Sequence, residues 1–300
     1  MNTVPKVVNT TQNDTPVLDI NQDPEEIRLR QMDEAFISLL PPKFQTLIRE
    51  WAEDDGLSIA GYFNPLMAHF SQAAGTWFKI KTKSHTNLPN IYTLTVGHGS
   101  TGKSQGEKRF IQAIKGRDNE LQSRSTGAEH AFLKSCSHAK MEEVLIKSQS
   151  VLHMVGEIHD YLGMLSDSTE EGSKWLKMQL EQFTDPHLKR AFRGDGVHQT
   201  DSAVFSQMSN TQPKYFLKLY KYEGAAFPFR FLVYPLTEKR RKIPYETHVN
   251  HTSIIDHALR LVYDYGNTHL FDLNQDSELI ELVVDYWNKL IDIQEQSNNP

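Results

Sequence analysis

The stretch "TLTVGHGSTGKSQGEKRF", Thr93 to Phe110, decides the fold. It opens as a β-branched strand, breaks into glycines and closes on a charged, helix-like run. Inside it, Gly97, His98, Gly99, Ser100, Thr101, Gly102, Lys103 and Ser104 meet the spacing G-x-x-x-x-G-K-[ST]. Each fixed residue type has a chemical reason. Glycines let the backbone turn its N–H groups inward around a phosphate. The helix that follows points its positive end at the same phosphate. Lys103 is placed to reach the β- and γ-phosphates, and Ser104 to offer a hydroxyl ligand to Mg²⁺. Average residue usage makes a chance match in a chain of this size an event on the order of one per cent. His98 occupies a free position and reads as a loop residue near the phosphates. The expected ligands are a nucleoside triphosphate and Mg²⁺.

Around this motif the composition sets bounds. The 300 residues suffice for one large or two small domains with a real core. A net charge of −6 argues against a general nucleic-acid coat and leaves room for a local basic groove. The one cysteine, Cys136, rules out an internal disulfide framework and suits a reducing compartment. No run reaches the ~18 apolar residues of a membrane span. The opening MNTVPKVVNTTQ lacks the apolar centre of a signal peptide. These features predict a soluble intracellular, cytoplasmic protein with no membrane partner.

The rest of the chain predicts an α/β protein with a mainly parallel sheet. Residues 1–23 read as a disordered lead-in and 24–75 as an N-terminal helical region. Three helices are expected in that region, "DPEEIRLRQMDEAFISLL", "KFQTLIREWAEDDG" and "NPLMAHFSQAAGTW", the last with Pro65 near its start. Residues 76–245 form the expected core. Its strands are "TWFKIKT", "NIYTLTV", "SVLHMVGEI", "HLKRAFRG", "QTDSAVFSQMSN" and "FPFRFLVYP". Its helices are Gln105–Lys115, "GAEHAFLKSCSHAKMEEVL", "SKWLKMQLEQFT" and "PKYFLKLY". Residues 246–300 are expected to be a C-terminal helical region.

A phosphate-binding loop of this kind needs acids at the end of a second strand. The best candidate is "SVLHMVGEIHDYLGML". Glu157 stands where a water-activating acid belongs, and Gly156 stands where a metal-side Asp is usual. Asp160 is the alternative acid, and an exposed loop carboxylate is the bland reading of it. The strand "AVFSQMSNTQP" ends in polar residues that can place an amide near the γ-phosphate. Gln212 is favoured there and Asn210 is second, against simple turn chemistry before Pro213. Arg230 in "GAAFPFRFLVYP" is a cation among aromatics and needs an anion. A transferred phosphate, within the subunit or across an interface, would serve, as would a structural ion pair. The basic runs "KIKTK", "KRAFR" and "EKRRK" read first as solvated faces and second as nucleic-acid contacts. No Cys/His pair has zinc-finger spacing.

In this order, "PNIYTLTVGHGSTGKS", "LHMVGEIHDYLGML", "SQMSNTQPKYFLKLY" and "GAAFPFRFLVYP" resemble a family of phage, prophage and plasmid P-loop ATPases. These are often labelled primase- or helicase-like. The resemblance covers roughly Pro41 to Pro235. It implies a P-loop NTPase core of RecA-like or AAA+-like type, ATP with Mg²⁺, and a ring-shaped homo-oligomer. It also implies partners among single-stranded DNA or replication proteins. The family's acid falls on Glu157, its polar strand end on Gln212 and its arginine on Arg230. The expected function is therefore a Mg²⁺-dependent ATPase, a motor or loader on DNA. Two rivals remain: a nucleotide-gated regulatory module with little turnover, and a small-molecule kinase, which would need an arginine-rich lid the sequence lacks.

Overall fold

The computed structural model describes residues 24–38, 40–81, 86–111, 132–134, 137–159, 170–184, 188–192, 196–220, 227, 230–236, 257–258 and 270–272. Its centre is a five-stranded sheet. The strands are β3 (Tyr92–Gly97), β4 (Phe132–Leu133), β5 (Ser150–Glu157), β8 (Val204–Thr211) and β9 (Phe231–Leu236). They run in the order β4-β5-β8-β3-β9, and every neighbouring pair is parallel. The protein is thus α/β with a parallel sheet, as the alternation of strands and helices predicts. Parallel sheets need cover on both faces, and every residue of β3 and β8 is buried.

Alternation along β3 sorts the two faces. Tyr92, Leu94 and Val96 join a core with Met141, Val144 and Leu145 of α5 (His138–Ser148) and Trp175 and Met178 of α6 (Glu170–Thr184). Thr95 faces the other way and accepts a hydrogen bond from Asn64 Nδ2 at 2.9 Å. Asn64 lies on α3 (Ala60–Ala74), which crosses β5, β8, β3 and β9. On this side lie α1 (Pro24–Ile37), α2 (Pro42–Asp55) and the helix at residues 103–111 (α4), whose Ile37, Trp51 and Phe110 share a core with Leu57, Tyr62 and Leu66. Gly56 ends α2 in the left-handed conformation, with φ of 60°.

Several elements differ from their sequence expectations. Helix α3 begins five residues before Pro65, which lies inside it. Proline has no N–H for the carbonyl of Gly61. That carbonyl faces Gly106 of α4 instead, where an added Cβ would lie 2.1 Å from it. The expected strand at 76–82 is a 3₁₀ turn, Gly75–Trp77, followed by the short β1 (Lys79–Lys81). β1 belongs to a second sheet, between β2 (Thr86–Asn87) and β10 (Leu270–Asp272). Within the segment expected as one long helix, Phe132–Leu133 form β4, and α5 starts only at His138. Ser137 sets that start: its hydroxyl accepts the backbone N–H of Lys140, a contact worth more at a helix cap than inside a helix. β6 (Leu188–Phe192) and β7 (Gly196–Thr200) form an antiparallel hairpin of their own, and β8 is a separate strand. Helix α7 (Pro213–Tyr220) follows β8. Residues 1–23, Cys136, Asp160, the run at 238–242 and most of 246–300 lie outside the described residues.

The Gly61–Gly106 contact yields a prediction. Gly106→Ala should cost at least the ~1–3 kcal/mol typical of overpacking, because backbone rather than a flexible side chain obstructs the new methyl. Gly156→Ala, where an added Cβ meets nothing within 4 Å, is the control. Urea unfolding of the two variants checks this; equal stabilities would refute the close approach of α3 and α4.

Candidate functional site

The loop after β3 turns on two residues of positive φ, Ser100 at 68° and Gly102 at 82°. At Gly102 the conformation favours glycine, and a Cβ there would also press on the Leu57 side chain, which would have to shift. The His98 carbonyl is the loop's internal anchor. It accepts from Thr101 Oγ1 at 2.9 Å and from Lys103 Nζ at 3.1 Å. Lys103 Nζ also donates to the Gly97 carbonyl at 2.8 Å. Burial pulls the Lys103 pKa below its ordinary value, and the charge of Glu157 works against that shift. Ser104 is exposed in the first turn of α4, and His98, Gly99 and Ser100 are exposed on the loop.

Helix α4 is held from behind. Arg109 grips Asp55 with two hydrogen bonds, Nε to Oδ2 at 2.9 Å and Nη2 to Oδ1 at 2.8 Å. Asp54 stands 3.8 Å from the same guanidinium. Tyr62 Oη lies 2.7 Å from Asp55 Oδ2. Burial by itself would raise the Asp55 pKa. The Arg109 and Tyr62 hydrogen bonds, the Arg109 charge and Gln105 together outweigh burial and lower it.

Glu157 reaches the loop through an irregularity in the sheet. Val155 pairs with Ser209, and Glu157 pairs with Asn210, so Gly156 is an extra residue. A bulge of this kind re-aims the side chains beyond it. Glu157 therefore takes the register of Asn210, which looks toward α4. Its Oε1 lies 3.9 Å from Lys103 Nζ, and its Oε2 lies 3.5 Å from His159 Nδ1. His159 stacks on Tyr215 of α7, with ring centroids 4.0 Å apart.

Asn210 Nδ2 donates to Glu107 Oε1 of α4 at 2.5 Å. Burial pushes the Glu107 carboxyl up to about 6. The Asn210 hydrogen bond and the Lys134 charge oppose that rise, and the Glu157 charge adds to it. Glu107 was not among the residues singled out in the sequence. The available signal was its position three residues after Ser104 on a helix, which puts both on one face.

The structure thus brings the loop, Glu157 and Asn210 to one end of the sheet. Gln212 lies at the same end, one residue beyond the Val96–Thr211 pair. Its carbonyl accepts the N–H groups of Tyr215 and Phe216 at the start of α7. Of the two amides weighed, it is Asn210 whose side chain touches α4. Arg230 is not brought to the loop. Phe231 pairs with Tyr92, at the far end of β3, and Arg230 precedes it. Its Nη1 donates to the Leu180 carbonyl at 2.7 Å, and its guanidinium lies 5.0 Å from the Phe183 ring centroid. Among the described residues, a backbone carbonyl and an aromatic face hold this cation, and no acid pairs with it.

His153 is buried against Trp175 and Phe205, and burial lowers its pKa to about 4. Among the described residues no group of three or more His, Cys, Asp or Glu could hold a metal ion, and no helix is long and apolar enough to cross a membrane.

No protein-family model matches the chain, and no curated protein matches it. Among solved structures, the A-form apo structure of the NrS-1 C-terminal region aligns with a TM-score of 0.36 and 12% identity, over 77% of this chain. The chain covers 46% of that structure's length.

The half-buried Glu107 carboxyl makes stability depend on pH. Its folded pKa, about 6, lies above the ordinary value of 4.5. Its contribution is therefore fully present below about pH 4.5 and lost as pH rises through about 6. Glu107→Gln should gain on the unsubstituted protein by on the order of 1–2 kcal/mol between pH 5 and pH 7. Urea unfolding at both pH values measures this, and an unchanged difference would show that the carboxyl does not titrate in that window.

Proposed function

We propose that the chain is a Mg²⁺-dependent ATPase that binds ATP on the loop from Gly97 to Ser104. One observation carries this reading. The loop joins a fully buried strand of a parallel sheet to the first turn of a helix, at the strands' carboxyl end, with Glu157 3.9 Å from Lys103. Ligands of open parallel sheets bind at that end. The positive φ values at Ser100 and Gly102 suit a backbone nest for an anion.

In this mechanism Lys103 exchanges the Gly97 and His98 carbonyls for the β- and γ-phosphates, and the first turn of α4 adds its N–H groups. Released from Lys103, Glu157 accepts a proton from the attacking water. The water oxygen bonds to the γ-phosphorus as the bond to the bridging oxygen breaks, leaving ADP and phosphate. Asn210, with Gln212 nearby, orients polar groups at the strand end. Ser104 and the neighbouring carboxylates are oxygen donors too few for a dedicated cage, which fits Mg²⁺ carried largely by phosphates and water. When bound, Mg²⁺ supplies neutralisation of phosphate charge.

The likeness of the loop, acid and strand-end segments to phage and plasmid ATPases supports a motor or loader acting on DNA as an oligomer. In such an assembly Arg230, remote from its own loop, can serve only a neighbour's site, and only by leaving the Leu180 carbonyl. The rival reading, a nucleotide-gated module with little turnover, is favoured by Gly156 in the place of an acid. ATP turnover with and without single-stranded DNA separates the two: stimulated hydrolysis supports the motor, and binding without turnover supports the module.

Lys103→Ala should abolish ATP binding, and calorimetric titration with ATP and Mg²⁺ checks it; undiminished affinity would sink the assignment of the loop. Arg230→Ala should leave ATP affinity unchanged. If Arg230 acts in a neighbour's site, mixing Arg230→Ala with Lys103→Ala subunits restores hydrolysis. No recovery after verified subunit exchange would remove that role.

A further inference from the structure

Position 156 carries no side chain, and the bulge there turns Glu157 toward α4. Among the described residues, an added Cβ at Gly156 would meet nothing within 4 Å. Another carboxylate meets the same strand end. Glu107 lies on α4, where its Oε1 accepts from Asn210, the residue in register with Glu157. The charge of Glu157 raises the Glu107 carboxyl, so the two acids share one electrostatic neighbourhood. On a helix, Glu107 and Ser104 lie one turn apart on the same face, with Cβ atoms about 5–6 Å apart. A cation bound at the Ser104 hydroxyl would therefore have Glu107 within reach of its water shell.

We propose that Glu107, from the helix after the loop, is the positioning acid for the metal's water shell, filling the role that Gly156 leaves empty on the strand. This rests on the nucleotide-site reading above and deepens it. Glu107 takes the metal side, so Glu157 is left for the attacking water. Asn210 holds the Glu107 carboxylate in orientation, and the cation's charge favours its ionised form.

The test uses the full chain and ATP, and it reads metal dependence rather than turnover. Glu107→Gln keeps an acceptor for Asn210 and removes a half-buried charge, so the fold is retained. The Mg²⁺ concentration that half-maximally tightens ATP binding should rise about tenfold or more, the usual loss when an outer-shell metal partner is removed. Affinity for ATP in excess chelator should stay at the unsubstituted level, which a merely structural lesion would not allow. Glu107→Asp, which keeps the carboxylate, should recover most of the Mg²⁺ response. Mg²⁺-dependent tightening in the unsubstituted protein with the same midpoint in Glu107→Gln would overturn the inference alone. No tightening in the unsubstituted protein would overturn the nucleotide site and the inference with it.

Discussion

The position of the loop depends on how closely α4 can approach α3. At their contact the Gly61 carbonyl lies where a Cβ on Gly106 would be, 2.1 Å away. Only glycine permits that approach, and Pro65 leaves the Gly61 carbonyl without its usual helical donor. The Asp55–Arg109 pair then fixes the rotation of α4. Its side chains are largely buried, at 7% and 15% exposure, so breaking it would strand a charge. Leu57 packs against Gly102 and extends the same support into the loop. The N-terminal helices are thus part of what holds Lys103 and Ser104 in place.

A second constraint comes from the sheet. One extra residue at Gly156 moves Glu157 into the register of Asn210. Without it, alternation would send Glu157 to the face covered by α6, away from Lys103. The strand end is therefore unusual in two linked ways: position 156 has no side chain, and Glu157 takes the face toward α4. Glu107 meets this strand end from α4 through Asn210.

Much of this was legible in the sequence. The loop, its flanking strand and helix, and the apolar run ending at Glu157 all follow from local patterns. The N-terminal helices were legible because α2 carries a proline at its start and a glycine just past its end. What was not legible depends on register and on contacts far apart in sequence. A bulge changes which face a residue takes without changing hydropathy, so the aim of Glu157 could not be read from alternation. Glu107 went unnoticed because its partner Asn210 is 103 residues away in the chain. Arg230 sits among aromatic residues, as read, but at the opposite end of the strand pair from the loop, because parallel register with β3 is set by the whole sheet. Phe132–Leu133 were lost in a helical pattern because two residues are too few to show a period of their own.

The most direct test of the nucleotide-site account is a structure of the protein with Mg²⁺ and a non-hydrolysable ATP analogue. The account predicts that Lys103 Nζ leaves the Gly97 and His98 carbonyls for the β- and γ-phosphates. It also predicts that the Ser104 hydroxyl lies against the metal, with Glu157 and Glu107 on opposite sides of the γ-phosphate–metal unit. An analogue bound elsewhere, or Lys103 still on its two carbonyls with the phosphates uncontacted by α4, would contradict it.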